Sequence, residues 1–321
     1  MDQIESVSAY ATIVTTPESL SDPFGGVKTP RMLSSGSEIA HTKTFEIVEP
    51  LGEGGMGQVF RAYDPTMDRY VALKVLKPGM HPLEQAQFHR EALIAADFSH
   101  PNLVRVLEVG HHQEMAWLTM EYLRGRDVGD IITNRKMISF RILVDIFGQA
   151  LDALIYLHAR GIAHCDIKPE NIFITRDPYD RRLVVVKIID FGIARHFNRD
   201  DDISEQISGD PRYMPPEQAV MNAQFDHRAD LYALGITLYE CLCRLHPFER
   251  QIEEGARALL AAHKDKPVPP PSLYLPSNTP PPLAKFFDDF IEVACAKAPE
   301  HRFDNAKAMK RVLERMLEYL D

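Results

Sequence analysis

The chain has little cysteine: four residues in 321 (Cys165, Cys241, Cys243 and Cys295) and no C-x-x-C pair. That excludes a disulfide framework and a cysteine-rich zinc site, and it fits a reducing compartment. Positive charge is not in excess either. Lys and Arg total 36 against 46 Asp and Glu, a formal net charge of -10, which disfavours a nucleic-acid binder that works by neutralising phosphates. Long apolar runs are missing as well. The best candidate, Leu231 to Tyr239, stops at Glu240, well short of the ~18 residues that a membrane span needs. Asp2 and Glu5 stand where a signal peptide has its basic region, so none is expected. These absences predict a soluble, cytoplasmic protein with neither nucleic acid nor membrane as partner.

What is present is an ordinary globular balance, 45% hydrophobic and 26% charged, which excludes a wholly disordered chain. Residues 1–43 are rich in Ser and Thr, show no sustained apolar periodicity and are expected to form a flexible tail. From Thr44 the texture changes. Short β-rich runs at Phe45–Val48, Val59–Tyr63 and Tyr70–Leu76 are separated by Gly or Asp-Pro turns. A helix is predicted over Leu83–Asp97, then strands over Leu103–Val109 and Met115–Tyr122. After Gly125 the pattern turns helical: Ile142, Ile146, Ala150, Ala153, Leu154 and Leu157 recur at helix spacing, as do Leu231, Leu234, Leu238, Leu242 and Leu245. A proline-dense connector from Pro267 to Pro282 reads as an extended surface loop, and Ala306–Leu320 as a closing helix. The layout predicts an α+β fold: a small β-rich lobe over 44–122 and a larger helical lobe over 123–321.

Four short motifs carry chemistry. Gly52-Glu53-Gly54-Gly55-Met56-Gly57-Gln58-Val59 holds G-x-G-x-x-G-x-V. Glycines let a hairpin backbone lie close over phosphates with its N–H groups free to donate. A dinucleotide fingerprint leads from a strand into a helix; these glycines lead into another strand, so that reading loses. Next, Lys74 ends Val71-Ala72-Leu73-Lys74 amid strand residues, where a charge is costly unless it meets a partner. The candidate is Glu91 on the following helix. Third comes His164-Cys165-Asp166-Ile167-Lys168-Pro169-Glu170-Asn171, and fourth Asp190-Phe191-Gly192 after a strand. Asn171 and Asp190 offer the hard oxygens that Mg²⁺ takes alongside phosphate. Each motif recurs by chance; all four in this order do not.

Over Thr44 to Leu317 the chain resembles a Hanks-type (eukaryotic-like) serine/threonine protein kinase of the bacterial branch. The wording Leu51-Gly52-Glu53-Gly54-Gly55-Met56-Gly57 and Ser99-His100-Pro101-Asn102-Leu103-Val104 is typical of that branch. The resemblance implies a two-lobed protein-kinase-like fold, ATP and Mg²⁺ as cofactors with Mn²⁺ as a substitute, and protein substrates phosphorylated on Ser or Thr. It also implies roles. Lys74 grips the α- and β-phosphates and pairs with Glu91. Asp166 orients the acceptor hydroxyl and takes its proton, with Lys168 beside the transferred group. Asn171 and Asp190 hold the metal ions. Met120 is the gatekeeper, Glu121 to Leu123 the adenine hinge, and Val59, Ala72 and Phe173 enclose the ring. Tyr213-Met214-Pro215-Pro216-Glu217 resembles A-P-E, with Glu217 paired to Arg302. Asp230 anchors the catalytic loop. Asp127 and Glu170 lie near the peptide groove and favour basic residues before the acceptor.

Two departures from the family pattern stand out. Cys165 replaces the arginine that receives an activation-loop phosphate, and the loop after Gly192 offers only Ser204 and Ser208 among an acidic run from Asp200 to Asp210. Loop phosphorylation is therefore not expected to be the on-switch. Asp210 stands where the family places a Thr, so its carboxylate either pairs with Lys168 or competes with Asp166. Thr12, Thr15, Thr16 and Thr29 are expected autophosphorylation sites that a phosphothreonine-reading partner would recognise. The rival readings are a nucleotide-binding pseudokinase scaffold and a small-molecule kinase; the Pro-Pro-Glu217 segment disfavours the second. No feature of the sequence sets the oligomeric state.

Overall fold

The structure, a computed structural model, describes residues 12–15, 43–53, 57–77, 85, 88, 92, 95–112, 115–134, 138–177, 180, 183–191, 194–197, 209–220 and 225–320. The chain divides into two compact units. The first takes Met1–Phe98 and Arg105–Leu123, the second Ser99–Val104 and Arg124–Asp321.

In the first unit, strands β1 (Thr12–Thr15), β2 (Lys43–Glu53), β3 (Gly57–Asp64), β4 (Arg69–Leu76), β5 (Val106–His112) and β6 (Met115–Glu121) form one antiparallel sheet. Its order is β1-β2-β3-β4-β6-β5. β1 comes from the Ser/Thr-rich N-terminal stretch and pairs with β2, Ile13 opposite Phe45. Period-two alternation sorts the side chains between the faces. Phe60, Ala62, Val71, Leu73 and Val75 pack with Phe45 and Trp117 on one face, and the Phe45 and Trp117 rings meet edge-on at 5.4 Å. On the other, Leu76, Ala116 and Leu118 pack with Phe88 and Ala92, helical residues that lie before β5.

The strand expected over Leu103–Val109 starts later, at Val106. Leu103 and Val104 belong to the second unit instead: Leu103 bridges Ile188, and the Val104 N–H donates to the Ile188 carbonyl at 2.9 Å. In that unit β7 (Gly125–Asp127), β9 (Ile172–Arg176) and β10 (Val184–Ile188) form a three-stranded sheet, order β10-β9-β7, and β8 (Ile162–Ala163) pairs with β11 (Arg195–His196). Helices α1 (Val128–Thr133), α2 (Phe140–His158), α3 (Arg228–Cys243), α4 (Glu249–Glu253), α5 (Ala256–Asp265), α6 (Pro281–Ala294) and α7 (Ala306–Glu314) make up the bulk. α3 is buried along its whole length from Ala229 to Tyr239, which fits a helix that is apolar nearly all round. α2 starts at Ser139, whose hydroxyl accepts from the Ile142 N–H at 3.3 Å.

Two expectations change here. The proline-dense connector is not extended throughout: Pro271–Leu273 form a 3₁₀ turn, and Pro281 and Pro282 open α6. Proline suits a first helical turn, because the N–H groups it lacks have no partner there. The closing helix ends at Glu314 and continues as a 3₁₀ turn over Arg315–Tyr319.

Candidate active site

In the first unit the register gathers the residues expected around a nucleotide. Val59 lies opposite Lys74, Lys74 opposite Leu118 and Ala72 opposite Met120, so Val59, Ala72, Lys74 and Met120 share one face of the sheet. Glu121 pairs with Val71 and lies on the other face; its carboxylate accepts from the Arg105 N–H at 2.9 Å. Leu123 follows β6. The glycine-bordered hairpin is closed by the pairs Gly52 with Val59 and Glu53 with Gln58, after an irregularity between Pro50 and Gly52 at Leu51. Glu53 also pairs with Lys77 at 2.7 Å. Gly57 lies against the Val75 carbonyl, where a Cβ would clash. Gly54, Gly55 and Met56, like Glu91, lie outside the described residues.

In the second unit the catalytic-loop residues converge. Asp166 and Lys168 form an ion pair at 2.8 Å. The Asn171 side-chain nitrogen donates to the Asp166 carbonyl at 2.8 Å and to its Oδ2 at 3.0 Å. That orientation commits the amide nitrogen and leaves the Asn171 oxygen as the atom offered to a cation. The Ile189 N–H donates to the Asn171 carbonyl at 3.0 Å, which brings Asp190 beside the loop. Asp190 and Cys165 both hold left-handed backbone, φ 59° and 66°, a strained conformation for residues with a Cβ. Burial pushes the Lys168 ammonium down, but Asp166, then Asp210 and Asp190, outweigh it and leave its pKa raised.

The loop hangs on Asp230. Its Oδ2 accepts from the His164 N–H and the His158 ring, and its Oδ1 from the Cys165 N–H, all at 2.8 Å. The Asp230 side chain is fully buried. Burial raises its pKa, yet the His158 and His164 partners outweigh that and hold it below the usual carboxylate range. His164 accepts from the Asp166 N–H at Nδ1 and approaches the Ile189 carbonyl with Nε2. A neutral ring protonated on Nε2 satisfies both, and burial lowers its pKa. Phe173 lies in β9, opposite Asp127 and Lys187.

Beyond the loop, Arg302 binds Glu217 bidentately at 2.6 and 2.8 Å. Its remaining N–H groups reach the carbonyls of Arg228, Ala296 and Lys297, so all five donors are used. Of the two carboxylates expected near a peptide groove, Asp127 caps α1 by accepting from the Asp130 N–H, and Glu170 is taken by Arg212 at 3.0 Å. Asp210 neither bonds Lys168 nor displaces Asp166. Its carboxylate also pairs with Arg212, at 2.7 Å, while its N–H donates to Asp166 Oδ1 at 3.4 Å.

Sequence reasoning missed Arg212, His158 and Gln218, whose side chain donates to the Cys165 carbonyl at 2.9 Å. Each reaches a partner dozens of residues away, and no local spacing signals that. Ser204, Ser208 and the run 200–208 lie outside the described residues. Among the described residues no helix is long and apolar enough to cross a membrane.

An antiparallel sheet with a glycine-bordered hairpin in one unit, and a helical unit that presents Asp166, Lys168, Asn171 and Asp190 together, define an α+β fold of the protein-kinase class. The family described as "Protein kinase domain" matches residues 45–313; the chain belongs to it. Serine/threonine-protein kinase pkn3 of Myxococcus xanthus is 36% identical over 287 residues, covering 87% of this chain and 50% of pkn3. Serine/threonine-protein kinase PknB of Mycolicibacterium smegmatis is 34% identical over 284 residues, covering 85% of this chain and 43% of PknB. The chain thus spans half or less of the length of these relatives.

Proposed function

We propose that the chain is an active, ATP- and Mg²⁺-dependent protein kinase that transfers the γ-phosphoryl group to Ser or Thr hydroxyls of proteins. The observation that carries this reading is the Asp166–Lys168–Asn171 cluster with Asp190 beside it. Phosphoryl transfer asks chiefly for positioning and for neutralising charge spread over oxygens. Asp166 is the carboxylate that orients an acceptor hydroxyl and takes its proton. Lys168, kept cationic by its carboxylate neighbours, is the charge beside the transferred group. Lys74, on the face it shares with Val59, Ala72 and Met120, is the residue for the phosphates. Two oxygen donors, Asn171 and Asp190, suit Mg²⁺ or Mn²⁺, which completes its shell with phosphate and water. Held by those two residues, such an ion would supply positive charge to neutralise phosphate oxygens.

Cys165 stands, buried, where the family places the arginine that receives a loop phosphate, which supports a kinase that is not switched on by loop phosphorylation. Tail phosphorylation at Thr12, Thr15, Thr16 or Thr29, read by a phosphothreonine-binding partner, is the further proposal for the N-terminal stretch. The test of the main reading is wild type beside Asp166→Asn with labelled ATP, Mg²⁺ and a general protein acceptor, followed by phosphosite mapping. Transfer to Ser and Thr by wild type, reduced about a thousandfold or more in the variant, is expected. A wild type without transfer supports the pseudokinase scaffold instead.

A further inference from the structure

Asp210 is the one carboxylate of the 209–213 segment that stands close to the reacting pair. Its N–H reaches Asp166 Oδ1 at 3.4 Å, and its charge acts on Lys168. An unpaired carboxylate there would draw the Lys168 ammonium away from Asp166. The side chain, however, is held by Arg212. Oδ1 accepts from the Arg212 N–H at 3.0 Å and its Nε at 3.1 Å; Oδ2 accepts from Nε at 3.2 Å and Nη2 at 2.7 Å. Three N–H donors, the Nε–H shared between both oxygens, engage the carboxylate on both sides. The same Nη2 reaches Glu170 at 3.0 Å, in the 3₁₀ turn directly after Lys168. The Arg212 carbonyl meets the His246 ring at 2.7 Å, so the residue is held by both side chain and backbone.

We propose that Arg212 is a positioning residue of the transfer reaction: its fork keeps the Asp210 carboxylate off Lys168, ties the segment to the catalytic loop through Glu170, and so preserves the Lys168–Asp166 pair. This rests on the reading of the chain as an active kinase. It assigns to fixed side chains the task of holding the segment against the loop, with no phosphate required. Lysine could not replace this arginine, since a point charge cannot grip two oxygens and reach Glu170 at once.

Four proteins, each the whole 321-residue chain, test it: wild type, Arg212→Gln, Asp210→Asn and the double variant. Arg212→Gln is expected to lower kcat about tenfold or more, with KM for ATP changed by less than about twofold. The double variant is expected to recover part of the kcat lost in Arg212→Gln, because the carboxylate that Arg212 restrains is gone while the tie to Glu170 stays broken. A merely structural arginine would show no such rescue. Wild-type kcat in Arg212→Gln, or a double variant as slow as Arg212→Gln, overturns the proposal. Hydrogen–deuterium exchange at residues 209–214 reads the tether without turnover. Faster exchange in Arg212→Gln is expected, and unchanged exchange counts against the tether. A wild type that transfers nothing overturns the kinase reading, and the exchange result still decides whether the tether exists.

Discussion

Asp230 gives its two oxygens to the His164 and Cys165 amides and to the His158 ring, with no side-chain surface left to water. Asp230→Ala strands all three donors in the interior, which costs about 3–5 kcal/mol; urea unfolding of the variant beside wild type measures it. The amide pair that Asp230 holds includes Cys165, in left-handed backbone, so the variant should also lose the transfer activity proposed above. Residues of this kind were legible in sequence to different degrees. Asp166, Lys168 and Asn171 are neighbours along the chain, and their spacing alone places three complementary groups together. Arg212 was not legible, since its partner Glu170 lies 42 residues upstream and an ion pair at such separation leaves no periodic trace. Asp210 has its captor only two residues away, at Arg212; that nearness leaves no signal of its own, because adjacent charges along a loop need not face each other.

At the scale of elements, strand existence followed from alternation and turn residues, whereas exact boundaries depended on pairing. Leu103 and Val104 look like the start of a strand because they are apolar, yet the Leu103 N–H turns back to the His100 carbonyl and the Val104 N–H donates to Ile188 at the end of β10. Proline density over 267–282 suggests an extended loop, but Pro281 and Pro282 sit in the first turn of α6, where the N–H groups they lack have no partner. Close backbone approach gives two further tests. Gly125 lies against the Ile174 carbonyl in the β7–β9 pair, with no room for a Cβ. Gly125→Ala should therefore force the strands apart and destabilise the second unit by about 1–3 kcal/mol, read as a lower thermal midpoint. Gly57 has the same relation to Val75 across β3 and β4. Gly57→Ala is expected to raise KM for ATP several-fold more than it changes the far-ultraviolet circular dichroism, if the hairpin holds the phosphates as proposed.

At the scale of the molecule, the net charge of -10 is unevenly spread: residues 45–122 hold six basic and eleven acidic side chains. The acidity that first spoke only against nucleic acid is, around Arg212, partly neutralised from within. The second unit also carries a pH dependence. Burial lowers His246 to about 4 and His263 to about 3, from 6.5, and the two rings lie 5.9 Å apart. Because their folded values are depressed, the unfolded chain binds more protons below pH 6.5, and stability falls as pH drops from there toward 4. Each pKa unit is worth about 1.4 kcal/mol, so His246 alone accounts for about 3 kcal/mol by pH 4. Glu240, raised by burial, works the other way. Urea midpoints at pH 7, 6 and 5 should fall in that order, and His246→Asn should flatten the slope.

Arg302 closes on Glu217, Arg228, Ala296 and Lys297 at once. None of those stretches can leave singly without abandoning a buried guanidinium or a carboxylate that depends on it, so fraying from the C-terminal side of α6 is coupled to loss of the Pro-Pro-Glu217 segment. A protease should therefore find this region either resistant or cut at many places together, with no long-lived fragment trimmed back past residue 302. The guanidinium acts as a cooperativity lock, one that sets how the unit comes apart as well as how firmly it holds.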